Sequence, residues 1–540
     1  MDGIVVGSGY AFVVARTDRL DPTLWRFKWR WLLGREASAD QRLMSECSTL
    51  YSDNYGTWGK RGSRPGQPIR QTAANIISHL DADDTWLAAA YHGERLIGYC
   101  IALRFQSDAG KVAWVSQLVV DESYRLSRVA TTLLYSIWQF SDCYAWGLVT
   151  PNPFAVRALE TATRRRCVRR LVIERGPRLL GEIAKRVSYI PAQLADYGAE
   201  PRPVVDTRFF ISHDGLEDMV KAASQASKRW TLGEIDEGEE WVACTFSDQN
   251  PDELEAERLT QLMAGADRIW IQAYEGMTLD ARHAWHQHTA SEVDWLVEHC
   301  GITPGARVLD VGGGDGRHSI ELARRGFSVT LSDISDRLLA LAATEIEAAG
   351  LEGVSVVEGD AREWLPEGPF DLVICLYDVL GSSANRDDDL RILKNVRPVV
   401  VPGGFFVGSV MNADSVLGRI TPDHQPTNTA AFVGALEALA PSRTMEQTGS
   451  VFDPRFLLYF DGVFYRKEQF ESATWRLPVE LVVRDARYTT QELTKDVTAA
   501  GFAVKLLNPV QSGRWDREPA LDPMDQRAKE LLVLAIRPED

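Results

Sequence analysis

Val308-Leu309-Asp310-Val311-Gly312-Gly313-Gly314-Asp315-Gly316 decides the fold of half this chain: an apolar strand empties into a glycine turn that carries an acid. Glycines 312, 314 and 316 let the backbone approach a ligand closely and then open a helix, expected over Arg317 to Arg325. An α/β sheet binds a nucleotide-like cofactor at such a place, outside the carboxyl ends of its strands. A dinucleotide fingerprint would need Gly-x-Gly-x-x-Gly. Three residues after Gly314 stands Arg317, so the glycine that lets helix and sheet close up beside a pyrophosphate is missing.

Further strands follow at helix-plus-strand intervals. Phe327 to Leu331 ends at Ser332-Asp333, which sets a carboxylate where it can accept both ribose hydroxyls. Val354 to Val357 ends at Gly359-Asp360-Ala361, Phe370 to Cys375 leads into Leu376-Tyr377-Asp378, and Pro402-Gly403-Gly404 turns the chain into Phe405 to Val410. Repeated units of this kind read as a doubly wound parallel sheet. Asp310-x-Gly312-x-Gly314-x-Gly316 resembles motif I of the class I S-adenosylmethionine (SAM) methyltransferases, well over residues 280–415 and loosely to 540. The resemblance implies a Rossmann-like sheet in which Asp310, Gly312, Gly314 and Gly316 cradle SAM. It implies also that Asp360 pairs with the exocyclic amine of adenine, and it places Ala361 and Leu376 in the same pocket.

The fourth strand bears on the acceptor. Amino-methyltransferases acting on DNA bases carry Asn/Asp-Pro-Pro-Tyr there, whereas this chain has Leu376-Tyr377-Asp378-Val379-Leu380-Gly381, which disfavours that chemistry. With Gly316-Arg317-His318 and His288-Thr289, the pattern resembles bacterial small-molecule methyltransferases. Tyr377 and Asp378, at the sheet edge where chemistry occurs, are catalytic candidates; the alternative is that they position SAM or the loop. His283-x-x-His286-x-His288 precedes an expected helix, Ser291 to Cys300. His288 is a candidate acceptor-side base, against a packing role or a metal site, and the trio lacks a cysteine or paired carboxylate at ligand spacing. Asp453 to Val483, rich in aromatic and β-forming residues, reads as an inserted cap over the acceptor. Tyr488 to Leu493 and Ala499 to Phe502 resemble the family's last helix and following strand.

With 540 residues, the chain exceeds one ordinary domain. Charge divides it. Residues 1–235 carry 31 basic and 25 acidic side chains and the remainder 28 and 51, for a net −17. The acidic second half is a poor nonspecific partner for nucleic acid. The 7 cysteines form no Cys-x-x-Cys pair, as expected of a reducing compartment. No basic leader opens the sequence and no apolar run approaches membrane-spanning length, so the expectation is a cytoplasmic protein with no membrane partner. The expected division is a first domain over 1–246, a linker over 247–270 that starts at Ser247-Asp248-Gln249-Asn250-Pro251, and a second domain over 271–540. Leu254 to Met263 reads as a short helix within the linker. There is no internal repeat.

The first half has its own pattern. Trp86 to Tyr91 and Leu96 to Leu103 form a hairpin around His92-Gly93-Glu94-Arg95, and Val112 to Val120 is a third strand. A turn over Asp121 to Ala130, a helix over Thr131 to Gln139, a strand over Tyr144 to Val149 and a helix from about Asn152 follow. Val205 to Ile211 and Glu240 to Phe246 complete the domain. Hairpin, strand, turn, helix, strand, helix resembles the core of the GNAT acyltransferases over residues 80–170. The resemblance implies a mixed sheet with helices and an acetyl-CoA or other acyl-CoA cofactor. Its pantetheine arm would pair along Gln117, Leu118 and Val120, and its pyrophosphate would lie on the turn Arg125-Leu126-Ser127-Arg128-Val129-Ala130 at a helix amino terminus. Two departures matter. Arg128 stands where the family has glycine, so it either pairs with a phosphate or blocks the cofactor. Asn152-x-x-Ala155 is present, but Leu159 stands where the family's general-acid tyrosine is expected.

Two basic stretches complete the reading. Trp25-Arg26-Phe27-Lys28-Trp29-Arg30-Trp31 alternates aromatic and basic residues, as a single-strand stacking platform would on a strand; Asp21 as N-cap, Pro22 and Gly34 point instead to a helix. Arg164-Arg165-Arg166-Cys167-Val168-Arg169-Arg170 is expected to close the helix begun at Asn152. It is a solvated helix end favoured by the macrodipole, a holder of the CoA 3′-phosphate, or a nucleic-acid contact. Three functions remain open: a methyltransferase fused to a GNAT acyltransferase acting on a small amine- or hydroxyl-bearing metabolite, a methyltransferase with a GNAT-like recognition module, and a nucleic-acid-modifying enzyme docked by its basic half.

Overall fold

The computed structural model describes residues 4–6, 10–12 and 27–539, apart from 83, 139–140, 142, 199–200, 225–228, 252–257, 261, 264–273, 275–283, 444–449, 470–480, 512 and 516–519. The chain divides into two compact units, Met1–Ile269 and Trp270–Asp540.

In the first unit a short ribbon, β1 (Ile4–Val6) with β2 (Tyr10–Phe12), precedes β3 (Phe27–Leu33), α1 (Gly34–Ala39), α2 (Gln41–Asn54), α3 (Ala73–Ser78), β4 (Thr85–His92), β5 (Arg95–Ser107) and β6 (Gly110–Val120). Then come α4 (Val129–Trp138), β7 (Ala145–Thr150), α5 (Pro153–Thr163), α6 (Arg169–Ile183), β8 (Val204–Phe209), α7 (Leu216–Ala223) and β9 (Gly238–Phe246). The main sheet runs β3-β4-β5-β6-β7-β9-β8. Only β6 and β7 are parallel in it, and their pairing stops at Val115↔Leu148. Beyond that point Gln117 to Val120 stay paired to β5 alone, so the sheet splays open. A bulge starts the splay: Ile101 faces Gln117 and Ala102 faces Val115, leaving Ser116 as the extra residue.

Two expectations fail here. Phe27 to Leu33 is a strand antiparallel to β4, not part of a helix. The period-2 alternation, favoured by aromatic side chains on a pleated surface, outweighs the helix-start signals, which lie outside the described residues. Phe27, Trp29 and Trp31 are buried while Lys28 is exposed, and Trp31 stacks on Trp86 with ring centroids 4.3 Å apart. Gly34 starts α1 instead of ending a helix. The arginine run does not close one helix either: α5 ends at Thr163, Arg164 turns left-handed (φ 57°), and α6 begins at Arg169. Arg164 and Arg165 are buried. Their guanidinium groups donate to the carbonyls of Ala162, Thr163 and Gln249, which removes both from any phosphate-binding surface.

The second unit comprises α8 (Thr289–Cys300), β10 (Arg307–Val311), α9 (Arg317–Arg324), β11 (Ser328–Asp333), α10 (Asp336–Ala348), β12 (Val354–Glu358), β13 (Phe370–Cys375), α11 (Arg386–Val399) and β14 (Val400–Met411). It continues with α12 (Asp414–Leu417), α13 (Thr429–Ala438), β15 (Ser442–Arg443), β16 (Leu458–Phe460), β17 (Val463–Gln469), β18 (Leu481–Asp485), α14 (Thr490–Ala499), β19 (Ala503–Val510) and β20 (Glu530–Ile536). The sheet order is β12-β11-β10-β13-β14-β20-β19. Its first five strands are parallel and β20 runs antiparallel to both neighbours. Alternate residues feed two cores: Leu309, Val373 and Phe406 on one face, Val308, Leu372 and Val407 on the other. Both faces of the parallel strands are thus covered.

Between β14 and α14 the chain makes an excursion that carries its own sheet, β15 to β18. A cluster of Ala413, Val416, Ile420, Leu457 and Phe464 packs within it. The excursion leaves and returns at one point, where Asn412 bridges to Tyr488. Residues 470–480 of the expected cap lie outside the described residues. No described helix is long and apolar enough to cross a membrane.

Candidate active sites

In the second unit the glycine turn has the backbone its composition demands. Gly312, Gly314 and Gly316 have φ of 68°, 56° and 78°, a region L side chains rarely adopt. A Cβ on Gly312 would lie 2.3 Å from Val379 Cγ2, so the turn and the loop after β13 need a bare backbone there. Asp310 is buried, accepts the Ser319 hydroxyl at 2.7 Å, and is pushed up to about 6 by burial. Asp333 ends β11 and accepts the amides of Gly314 and Ser335, each at 2.8 Å; burial raises its pKa against those bonds. Asp360 is clamped by Arg362 through two bonds at 2.8 and 2.6 Å, and the Ala361 carbonyl accepts Asn395 Nδ2 at 3.0 Å. Leu376 is buried at the end of β13. These residues share the carboxyl edge of β10, β11, β12 and β13.

Tyr377 and Asp378 follow β13 with φ of 56° and 67°, a strained conformation for non-glycine residues. The Tyr377 hydroxyl donates to Glu292, a residue the sequence reading passed over. Glu292 is 1% exposed and also accepts Arg317 Nη1 at 2.7 Å and His318 Nε2 at 2.8 Å. Arg317 lies 4.4 Å above the Tyr377 ring. Burial alone would raise Glu292; the His318 bond and the Arg317 charge outweigh it and hold the carboxylate at about 2. His318 is lowered to about 4 by burial and the same arginine, so it is neutral. The hub joins α8, α9 and the loop after β13.

Asp378 is set apart from this hub and feels the charges of Asp485, Arg487 and Arg466. Burial pushes it up to about 7, with Asp485 raising and Arg487 and Arg466 lowering it, and its Oδ1 is buried with no hydrogen-bond partner among the described residues. His286 pairs with Asp315 of the glycine turn at 2.5 Å. His288 caps α8 and packs so tightly on Gly513 that a Cβ there would stand 2.1 Å from its ring. His283 lies outside the described residues.

In the first unit the expected pyrophosphate turn precedes α4. Leu126 and Arg128 have φ of 61° and 62°, so the arginine takes the left-handed backbone that glycine would take in its place. Arg125 Nη2 donates to the Asn54 carbonyl at 2.5 Å, tying the turn to the end of α2. Ser127 lies in the turn, and Val129 and Ala130 start α4, whose first-turn amides have no acceptor within the helix. Leu118 and Val120 keep their pairing with Cys100 and Gly98. The Gln117 side chain accepts Tyr99 Oη and donates to Gln71 Oε1, both at 2.9 Å. Asn152 uses its side-chain oxygen to cap α5, accepting the Phe154 amide at 2.9 Å.

Comparison with known proteins agrees with both geometries. Residues 46–162 match the Acetyltransferase (GNAT) family and residues 308–404 the Methyltransferase domain family. The ubiquinone biosynthesis O-methyltransferase of Azoarcus sp. (strain BH72) is 29% identical over 164 residues, 30% of this chain and 64% of that protein. The glycine N-methyltransferase of Rattus norvegicus is 34% identical over 166 residues, 28% and 53% of the two chains. The chain thus spans somewhat less than two thirds of these relatives. Among solved structures, a SAM-dependent methyltransferase from Clostridium acetobutylicum ATCC 824 aligns with 12% identity and a TM-score of 0.34, over 50% of this chain and 99% of that one. The glycopeptide N-methyltransferase MtfA complexed with sinefungin aligns with 18% identity and a TM-score of 0.30, over 46% and 87%. The chain carries a GNAT domain followed by a methyltransferase domain.

Proposed function

We propose that the protein is a two-headed transferase, a SAM-dependent methyltransferase joined to a GNAT-type acyltransferase, acting on a small amine- or hydroxyl-bearing metabolite. In the second unit Gly312, Gly314 and Gly316 leave room for SAM, Asp333 receives its ribose hydroxyls, and Asp360 with Ala361 and Leu376 receives its adenine. SAM supplies an electrophilic methyl group, so the residues around it need only align the acceptor, exclude water and take a proton. Asp378 and His288 are the proton-accepting candidates. Tyr377, held by Glu292, orders the acceptor edge.

The observation that carries acyl transfer is the turn at Arg128. Its backbone is left-handed at Leu126 and Arg128 without a glycine, beside a splay that frees Gln117 to Val120 for an acyl-CoA arm. Arg128 then adds a guanidinium to the phosphate site. One observation favours a recognition module instead: Leu159, where the family's tyrosine is expected, is fully buried and brings no proton donor. Two features behind the nucleic-acid reading, the β3 aromatics and Arg164-Arg165, lie in the interior.

Calorimetry of the full chain with SAM and with acetyl-CoA separately tests the proposal, using Asp333→Ala and Arg128→Glu as controls. Binding of both, each weakened by its own substitution, supports two heads. Binding of SAM alone makes the first unit a recognition domain.

A further inference from the structure

The second unit gathers positive charge around one residue of its insert. Phe452 is half-buried and carries two cations over its ring, Lys529 Nζ at 4.6 Å and the Arg487 guanidinium at 5.2 Å from the centroid, while its carbonyl accepts Arg419 Nη2 at 3.2 Å. The cations arrive from three stretches of chain: Arg419 after α12, Arg487 after β18 and Lys529 just before β20. Asn412 draws two of them together, since it bridges to Tyr488 and donates its amide to the Lys529 carbonyl at 3.0 Å.

Acids do not balance this charge. Arg487 gives Nε to Asp485 at 2.7 Å, yet that carboxylate also accepts Arg466, whose other partner is Glu468. Asp453, beside Phe452, is held by Arg455 through bonds at 3.0 and 2.6 Å. Among the described residues Arg419 donates only to the carbonyls of Ser415 and Phe452, and Lys529 has neither a hydrogen bond nor an ion pair. Burial and the charges of Arg419 and Arg487 lower the Lys529 pKa against the pull of Asp453.

Arg487 shows where the missing anion belongs. Its side chain is 0% exposed, flanked by the rings of Phe452 and Phe464, with Nη2 on the Val451 carbonyl at 2.7 Å. Nη1 is buried with no hydrogen-bond partner among the described residues. A buried cationic N–H without an acceptor is costly, and in the half of the chain where acids outnumber bases the shortfall calls for an anion from outside. The place borders the reacting edge. Ala486, next to Arg487, donates its amide to the Gly381 carbonyl at 2.8 Å, and a Cβ on Gly381 would stand 2.4 Å from the Ala486 carbonyl oxygen, so the loop carrying Tyr377 and Asp378 packs on the chain that carries Arg487.

We propose that Arg419, Arg487 and Lys529 form an anion subsite against Phe452, and that the acceptor methylated by the second unit is a small metabolite whose carboxylate or phosphate sits there. This rests on the small-metabolite reading above and names the acceptor's chemical class. Arg487 offers a fixed donor and Lys529 a compact charge that turns to meet the ligand, both through charge-assisted bonds. The anion anchors the far end of the acceptor and leaves its nucleophile toward the loop after β13. Acceptors that are neutral or cationic at that end are rejected, because they leave the cations without a counter-charge.

The test measures binding of inorganic phosphate and, separately, of ¹³C-acetate to the full chain by ligand line broadening at constant ionic strength in chloride, with and without saturating SAM. Every protein carries Arg128→Glu, which removes the phosphate candidate of the first unit, and Lys529→Met, Arg419→Met and Lys529→Arg are compared with that parent. The expected result is that at least one anion binds the SAM-loaded parent, that either methionine weakens it about 10-fold or more, and that Lys529→Arg retains it. The anion that binds tells carboxylate from phosphate. No binding of either, equal binding in the methionine variants, or loss of the anion on adding SAM, which would give the cations to the cofactor, each overturns the proposal. Calorimetry with SAM separates this failure from that of the methyltransferase reading. SAM binding without either anion defeats the subsite alone, whereas anion binding without SAM defeats its role in methyl transfer and that reading together.

Discussion

Replacing Glu292 by glutamine tests the hub that fixes Tyr377, Arg317 and His318 in the second unit. The carboxylate is 1% exposed and its Arg317 partner 9% exposed, so the guanidinium has little water to fall back on. Removing one member of a buried ion pair costs about 3–5 kcal/mol, because the other charge stays buried and uncompensated. For a unit of this size, about 2–4 °C of melting temperature follows each kcal/mol, giving a fall of about 6–20 °C. Differential scanning calorimetry of the full chain reads this directly, since the transition that rises on adding SAM identifies the unit. Adding Arg317→Met should restore most of the loss, as neutral replacements of whole buried pairs are often tolerated. A fall of less than about 2 °C, or a double variant no better than Glu292→Gln alone, would refute the hub as an ionic anchor.

Other consequences can be checked in the same preparations. Asp333→Ala should weaken SAM binding about 10- to 150-fold, the worth of about 1.5–3 kcal/mol of charged hydrogen bonding; an unchanged calorimetric Kd defeats the ribose assignment. Acid should loosen the second unit in a defined window. His318 is lowered from 6.5 to about 4, so the unfolded chain takes that proton first and stability declines as pH falls from about 6.5 toward 4; Glu292, lowered from 4.5 to about 2, loses its contribution as pH falls from about 4.5 toward 2. A SAM-shifted transition that stays flat between neutrality and pH 5 contradicts this. Trp31→Ala should destabilise the first unit by about 3–5 kcal/mol and leave any salt-dependent nucleic-acid binding untouched, which gel-shift titration would read.

The sequence made some of these features plain and hid others for physical reasons. Glycines 312, 314 and 316 were legible because their positive φ angles leave few other residues admissible, and the strand-then-acid rhythm after them set the parallel sheet. The β4–β5 hairpin and the strand beyond it were equally clear from alternation and turn residues. Glu292 was not, because an acid in the first turn of a helix is ordinary macrodipole chemistry; its role exists only when Arg317, His318 and Tyr377 arrive from elsewhere in the chain. Phe27 to Trp31 misled because local N-cap and proline signals said helix while pairing with β4 decides the outcome. Arg164 and Arg165 looked like solvated charges, but the carbonyls at the end of α5 and after β9 draw them inward.

The junction of Asn412 with Tyr488 has a consequence for how this chain can change. Residues 413–487 form a detour whose two ends coincide, with Ala413 N bonded to the Tyr488 carbonyl and Tyr488 N to that of Met411. Because the ends are already joined, lengthening or shortening the detour alters closure entropy only slowly and leaves the path from β14 into α14 intact. The cluster around Val416 and Phe464 gives the detour a core of its own. Such a piece can be lengthened or rewritten while the glycine turn and the acids that end β10 and β11, which lie outside it, keep their places.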